Sequence, residues 1–191
     1  MNLPGVYKTF TDRWAKYQTV WIISDTHFGE DDLKEAFPER PSDEELVKRI
    51  NKRVGKKDVL IHLGDTGDLE WIRKLHGYKV LTMGNHDTSV EKCREVFDEV
   101  YEGPLSLGEK LVLSHEPIYF SIGYRTCPFY NIHGHLHYGN PRDFIYHKNL
   151  CCDVSSYEPF HLNSFLKNGG LKHVKSIHRQ TIDIATERKK V

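Results

Sequence analysis

Three observations predict an α/β fold. Apolar strand-like runs alternate with amphipathic helical patterns through the first half of the chain, the second half turns to strands joined by short loops, and ligand-type polar residues gather where strand after strand ends. At 191 residues the chain fits one folding unit with a sizeable core, since domains commonly run to roughly 100–200 residues. A single domain over 1–191 is expected, with its core at about 19–168 and a loosely packed C-terminal tail at about 171–191.

The apolar run at 19–24 reads as a buried strand. Ser42-Asp43-Glu44-Glu45 has the form of a capping box, and Leu46, Val47 and Ile50 then share one helical face. A strand over 58–63, a short helix over 69–75, a strand over 78–83 and an amphipathic helix over 90–97 complete a β-α-β-α-β opening. After Gly103-Pro104, strands are expected over 110–114, 129–132 and 144–154, with Gly139-Asn140-Pro141 as a turn. A short helix over 162–167 precedes Gly169-Gly170, and the chain carries no internal repeat or low-complexity segment.

Lys plus Arg and Asp plus Glu both total 27, so no general attraction to nucleic acid or an anionic membrane is expected and any phosphate affinity is local. No apolar run approaches the ~18 residues of a membrane span, and residues 1–18 lack the apolar stretch of an export signal. Cys93, Cys127, Cys151 and Cys152 have no C-x-x-C spacing and read as buried thiols. Together these features point to a cytoplasmic protein.

Twelve histidines stand out, because imidazole is a frequent metal ligand and a proton carrier near neutral pH. The first strand runs into Asp25-Thr26-His27, a carboxylate and an imidazole able to point at one divalent ion. The second delivers Gly64-Asp65, where glycine permits a tight turn and a carboxylate with two oxygens can bridge ions. The third delivers Gly84-Asn85-His86-Asp87, with a neutral amide oxygen at Asn85. The next two end at His115 and at His133-Gly134-His135-Leu136-His137. Singly these signals are weak, and a turn or a satisfied structural histidine explains each. Five polar clusters at five successive strand ends are a different matter, because burying them unpaired would be costly.

Asp25-x-His27, Gly64-Asp65, Gly84-Asn85-His86-Asp87, His115 and Gly134-His135-x-His137 resemble, in order and over about residues 19–160, the calcineurin-like metallophosphoesterase superfamily. The resemblance implies a four-layer αββα sandwich, two mixed β-sheets flanked by helices, with a di-metal site at the strand ends. It also implies two divalent ions, Mn²⁺ first, with Fe, Zn, Ni, Co or Mg as alternatives. One ion would take Asp25, His27, Asp65 and His137, and the other Asp65, Asn85, His115 and His135, so that Asp65 bridges. A hydroxide shared by the ions would attack phosphorus, and His86 would protonate the leaving alkoxide as general acid. Asp68 matches a carboxylate that orients this histidine in some branches, although an N-cap for the helix from Leu69 explains it equally well.

Beyond the ligand set, Asp87 and His133 are expected to support the ligands from behind. Tyr119, Tyr124 and Arg125 are candidate substrate contacts, with a tyrosine-rich loop packing on itself as the plainer explanation. His62 reads as a supporting or outward residue, and His76, His147, His161, His173 and His178 as surface or satisfied positions. Leu69 stands where the protein Ser/Thr phosphatase branch has arginine, which argues against a protein phosphatase. Glu30 replaces a histidine found in small relatives, and Glu30, Asp31 and Asp32 read as solvated loop. The expected partner is a small phosphodiester or phosphomonoester, with no membrane and no long nucleic acid, and the sequence carries no signal of oligomeric state. The rival readings are a non-catalytic scaffold like the retromer subunit, which lacks the catalytic histidine, and a nuclease acting on short ends.

Overall fold

The computed structural model describes residues 14, 17, 19–108, 110–119, 129–139 and 145–174. Short Val, Ile and Leu runs pair as parallel strands here because both of their faces are covered. β1 (Val20–Ile23), β2 (Val59–His62), β3 (Tyr78–Thr82) and β4 (Glu99–Tyr101) are mutually parallel, and β9 (Phe160–His161) joins β1 antiparallel, giving the order β4-β3-β2-β1-β9. The second sheet has the order β5-β6-β7-β8, from β5 (Leu105–Leu107), β6 (Leu111–Leu113), β7 (Tyr130–His133) and β8 (His147–Asn149). Its β5 runs antiparallel to β6, and its other pairs are parallel. The helices are α1 (Asp31–Ala36), α2 (Asp43–Arg53), α3 (Leu69–Arg73), α4 (Val90–Arg94) and α5 (Leu162–Lys167).

Successive side chains point to opposite faces of a strand, and in β1, β2 and β3 this divides the core. Ile22, Val59, Ile61 and Val80 meet Leu105, Leu111, Leu113 and Ile132 between the two sheets. Ile23, Leu60 and Leu81 point the other way, under Leu46 and Ile50 of α2, Ile72 of α3 and Cys93 of α4. Two mixed sheets with helices outside them form the αββα sandwich that the resemblance implies. Ser42 caps α2 as expected, its hydroxyl accepting from the Glu45 amide at 3.3 Å.

Register places the site. Ile23 lies beside His62, and His62 beside Leu81, so the chain leaves β1, β2 and β3 at one level. Ile132 pairs with Leu113 and His133 with Asn149. A parallel bridge between Ser24 and Cys151 brings the second sheet's strand ends to the first.

Several elements differ from expectation. The run at 144–154 does not continue as one strand: β8 stops at Asn149, and Cys151 turns the chain through hydrogen bonds from Val154 and Ser155 to its carbonyl. Asp31 and Asp32 open α1 rather than a loop, a helix with no buried residue and so no apolar periodicity to announce it. β4 was not foreseen because Glu99 sits in it, buried and accepting hydrogen bonds from Trp14, Tyr78 and Tyr101. The three described cysteines are buried and free. Among the described residues no helix is long and apolar enough to cross a membrane.

Candidate metal centre

The loops after β1 and β2 remain hydrogen-bonded to each other beyond the strands. The Asp25 amide donates to Gly64 O at 3.0 Å, that of His27 to Asp65 O at 3.1 Å, and that of Phe28 to Thr66 O at 3.1 Å. These bonds hold a conformation that L residues seldom adopt. Asp25, His27, Asp65 and His135 have φ of 56°, 42°, 55° and 66°, at a cost on the order of 1–3 kcal/mol each. Non-glycine residues in this region cluster at functional sites, and here four of them point inward together.

The approach of the loops leaves no room for a side chain at their glycines, Gly64 and Gly134 among them. A Cβ on Gly64, itself at φ 100°, would strike the Gly84 backbone, and one on Gly134 would strike Ser24 Oγ and Asp25 Oδ2. With Gly134 bare, the His135 amide donates to both Asp25 oxygens at 3.1 and 3.0 Å. The two sheets are joined at the residues expected to bind metal.

Asp65 lies at the middle. Its Oδ2 is 3.6 Å from His27 Nε2 and 3.3 Å from His115 Nε2, while Oδ1 accepts from the His86 amide at 2.8 Å. His137 Nε2 is 3.8 Å from Asp25 Oδ1. Asn85 Oδ1 lies 2.9 Å from His115 Nε2 and 3.0 Å from His135 Nδ1, and these two ring nitrogens are 3.1 Å apart. Candidate ligand atoms of Asp25, His27 and Asp65 lie within 4.8 Å of one another, as do those of Asp65, His115 and His135.

Three imidazoles are pinned by their far nitrogens. Nδ1–H of His27 donates to Glu30 at 2.8 Å, that of His115 to Leu63 O at 2.9 Å, and that of His137 to Asp153 at 2.7 Å. Each Nε2 in its neutral form then offers a lone pair to the centre, the tautomer a metal requires. His27 Nε2 is buried without a hydrogen-bond partner. Around His115, lone pairs face lone pairs unless a proton or a cation intervenes, so the donor set fits a divalent cation.

The electrostatics agree. Burial raises the Asp25 carboxyl above its ordinary value. Burial also opposes ionisation of Asp65, but the hydrogen bond and charge of His115 outweigh it and hold Asp65 at about 2. His115 is raised despite burial, chiefly through Asp65, and His137 is raised by its hydrogen bond to Asp153. The cluster favours added positive charge, which a metal would bring without a proton.

Asp87 lies behind the loops and accepts from the amides of Asp65, Thr66 and Gly84 at 3.0, 2.9 and 2.8 Å and from Thr66 Oγ1 at 2.7 Å. His133 is buried and gives Nδ1–H to Gly134 O at 2.8 Å, a backbone contact next to His135 rather than a bond to a ligand ring. His62, fully buried, joins Thr26 Oγ1 at 2.9 Å, and burial lowers it to about 4. His147 is buried, its ring packed against those of His133 and Tyr119. Tyr119 is 58% exposed and stacks on His147, while Tyr124 and Arg125 lie outside the described residues. His86 is exposed, its ring edge-on to His27 at 5.6 Å. Asp68 caps α3 by accepting from the Glu70 amide at 2.9 Å, and no contact between Asp68 and His86 is seen among the described residues.

Glu30, Asp153 and Arg40 were not foreseen as parts of the site. Glu30 had a signal in its position three residues after His27, whereas Asp153 and Arg40 reach the site only through the tertiary fold. Cys151 also borders it, its sulfur 3.4 Å from His137 Nδ1 and 3.7 Å from Asp153. Burial drives that thiol well above the usual range, and its sulfur and the candidate ligand atoms of Asp25 and His137 lie within 4.8 Å of one another.

A sandwich of two mixed sheets with carboxylates and imidazoles converging at the strand ends defines a class of metal-site proteins. The sequence pattern of the family described as calcineurin-like phosphoesterase matches residues 18–189, and the chain belongs to that family. Its fold is also similar to the crystal structure of a protein of unknown function, AQ665, from Aquifex aeolicus, at 27% identity and a TM-score of 0.64, over 78% of this chain and 98% of that one. No curated protein matches the sequence.

Proposed function

We propose that the chain is a metal-dependent phosphoesterase acting on a small phosphodiester or phosphomonoester, with two divalent ions in half-sites that share Asp65. Asp25, His27, Asp65 and His137 would hold one, and Asp65, Asn85, His115 and His135 the other. The observation that carries this reading is Asp65 Oδ2 lying between the Nε2 atoms of His27 and His115, each ring anchored by its other nitrogen. Imidazole combined with carboxylate and amide oxygen suits a borderline transition ion, with Mn²⁺ the first choice and Fe, Zn, Ni, Co or Mg the alternatives. Bound there, two such ions would neutralise phosphoryl oxygens and lower the pKa of a shared water.

The protein's own part is proton delivery and shape. His86 stands at the rim with its backbone tied to Asp65, and we assign its ring the proton taken by the leaving alkoxide, an effect typically worth about 10²–10⁴-fold. Beside Asn85 and His115 lies a cavity of about 310 Å³ walled by Met83, Pro117, Ile118, Glu102 and Glu116. Its size suits a small leaving group, and its two carboxylates disfavour a polyanion. Free, buried thiols accord with a reducing cytoplasm.

The test is metal analysis followed by hydrolysis of an aryl phosphodiester and its monoester, and of an ester with a poorly leaving alkoxide, by wild type and His86→Ala. We expect two equivalents of metal, turnover of at least one ester, and a loss of about 10²–10⁴-fold in the variant on the poor leaving group. Metal bound with no ester cleaved would favour the scaffold reading. A variant as fast as wild type on the poor leaving group would refute the role given to His86.

A further inference from the structure

We infer that Arg40 and Asp153 form a brace that positions His137, and thereby sets the metal affinity of the Asp25, His27, Asp65 and His137 half-site separately from the other half. The inference rests on the two-metal reading above. The side chains of Arg40 and Asp153 are 3% and 0% exposed, and burying such a pair stabilises a fold little compared with well-packed apolar residues. Its geometry points to what it does instead.

Arg40 Nη1 donates to both Asp153 oxygens at 2.7 Å, while Nη2 donates to the carbonyls of Asp25 at 2.9 Å and Thr26 at 2.5 Å. One rigid guanidinium therefore ties the loop carrying Asp25 and His27 to the carboxylate behind His137. Asp153 also accepts from Tyr157 OH at 3.0 Å and from the Cys151 thiol at 3.7 Å. Held from these sides, it has its Oδ2 2.7 Å from His137 Nδ1. A carboxylate only accepts, so Nδ1 carries the hydrogen and Nε2 keeps its lone pair towards Asp25.

Two local features serve the same end. Phe37 stacks on the His137 ring at 5.7 Å and accepts from the Arg40 amide at 2.9 Å, so the segment that supplies the guanidinium also walls the imidazole. The turn that ends the strand-like run after Cys151, with Ser156 and Tyr157 at φ 59° and 60°, brings Asp153 and Tyr157 together. The other half-site draws on different supports: His115 leans on Leu63 O, and Asn85 meets His115 and His135. Arg40 and Asp153 touch neither His115 nor His135 in the contacts described.

The experiment is a Mn²⁺ titration of the metal-depleted full chain, followed by calorimetry, by metal analysis after dialysis, and by the electron paramagnetic resonance signal of a coupled ion pair. Asp153→Asn, His137→Ala and the double variant are compared with wild type, with folding checked by circular dichroism. Wild type is expected to bind two ions and show the coupled signal. Asp153→Asn is expected to weaken one ion by about 10–100-fold, a usual effect of losing such a support, to leave the other unchanged, and to lose the coupled signal. His137→Ala should weaken the same ion, with the double variant no worse than His137→Ala alone. A folded Asp153→Asn that weakens both ions alike, weakens neither, or adds to His137→Ala overturns the brace. If that variant does not fold, Arg40→Lys enters the same cycle, since a lysine cannot span Asp153 and the two carbonyls together. Wild type that binds no metal overturns the two-metal reading itself, a result distinct from failure of the brace.

Discussion

Asp87→Ala is expected to be among the most damaging single changes outside the candidate ligands, through the backbone rather than through packing. Its carboxylate gathers the amides of Asp65, Thr66 and Gly84 and the hydroxyl of Thr66 within 2.7–3.0 Å. Without Asp87 the Thr66 hydroxyl still has an acceptor in Gly67 O at 3.4 Å. Gly84 is half-buried, so water can replace its bond, whereas Asp65 and Thr66 are 2% and 1% exposed. Two buried amides are left without a partner, each worth about 1–3 kcal/mol, so a loss of about 3 kcal/mol is reasonable. For a chain of this size about 2–4 °C accompanies each kcal/mol, which gives a fall of roughly 6–12 °C in Tm. The assay is thermal and urea unfolding of the metal-free protein, with exposed Thr88→Ala as the neutral control. Asp87→Asn, which retains one acceptor oxygen, should fall between. A Tm within about 2 °C of wild type for Asp87→Ala, at an unchanged urea m-value, would refute the reasoning.

Gly134→Ala should weaken metal binding and destabilise by about 1–3 kcal/mol, because its Cβ meets Ser24 Oγ and Asp25 Oδ2; normal stability and metal content would show that the two loops part easily. Burial lowers His62 and His147 to about 4 each. With unfolded values near 6.5, the unfolded chain takes up protons between pH 6.5 and 4 that the folded one refuses. Their contribution to metal-free stability should therefore be full above pH 6.5 and decline towards pH 4, by at most about 1.4 kcal/mol per unit for each histidine, whereas the raised His115 and His137 add stability as pH falls to 6.5 and hold it constant below, so the decline is read below pH 6.5. Urea unfolding in chelator at pH 7.5, 6 and 5 checks this, and a flat profile counts against it. Asp68→Ala should cost about 1 kcal/mol through loss of the α3 cap, and Asp68→Ser should recover most of it. Turnover of the poor-leaving-group ester by Asp68→Ser then reports any orienting role, and a rate equal to wild type is expected.

The parallel opening was legible because β1, β2 and β3 carry apolar residues on both faces and α2 announces itself by Ser42 and its Leu46–Ile50 stripe. The elements that escaped notice, α1, β4, β5 and β9, are short and take their stability from neighbours rather than from their own periodicity. The strand expected over 144–154 failed for a related reason. Its apolar run also serves a turn closed by Val154 and Ser155 donating to the Cys151 carbonyl, and Cys151 bridges Ser24, a residue more than a hundred positions away.

The candidate site divides along the same line. Asp25, His27, Asp65, Asn85, His115, His135 and His137 lie in polar clusters that strand ends set in order, and the resemblance implies that these members of the clusters are the ligands. Which nitrogen each imidazole turns inward could not be read from the sequence, since that depends on Glu30, Leu63 O and Asp153 standing behind the rings. The sequence by itself determined the inventory and order of the candidate ligands and the α/β alternation that carries them, both local properties of pattern and spacing. Only the tertiary structure decided the left-handed turns at the site, the closeness that Gly64 and Gly134 permit, and the link from Arg40 through Asp153 to His137, because these are contacts between segments far apart in the chain.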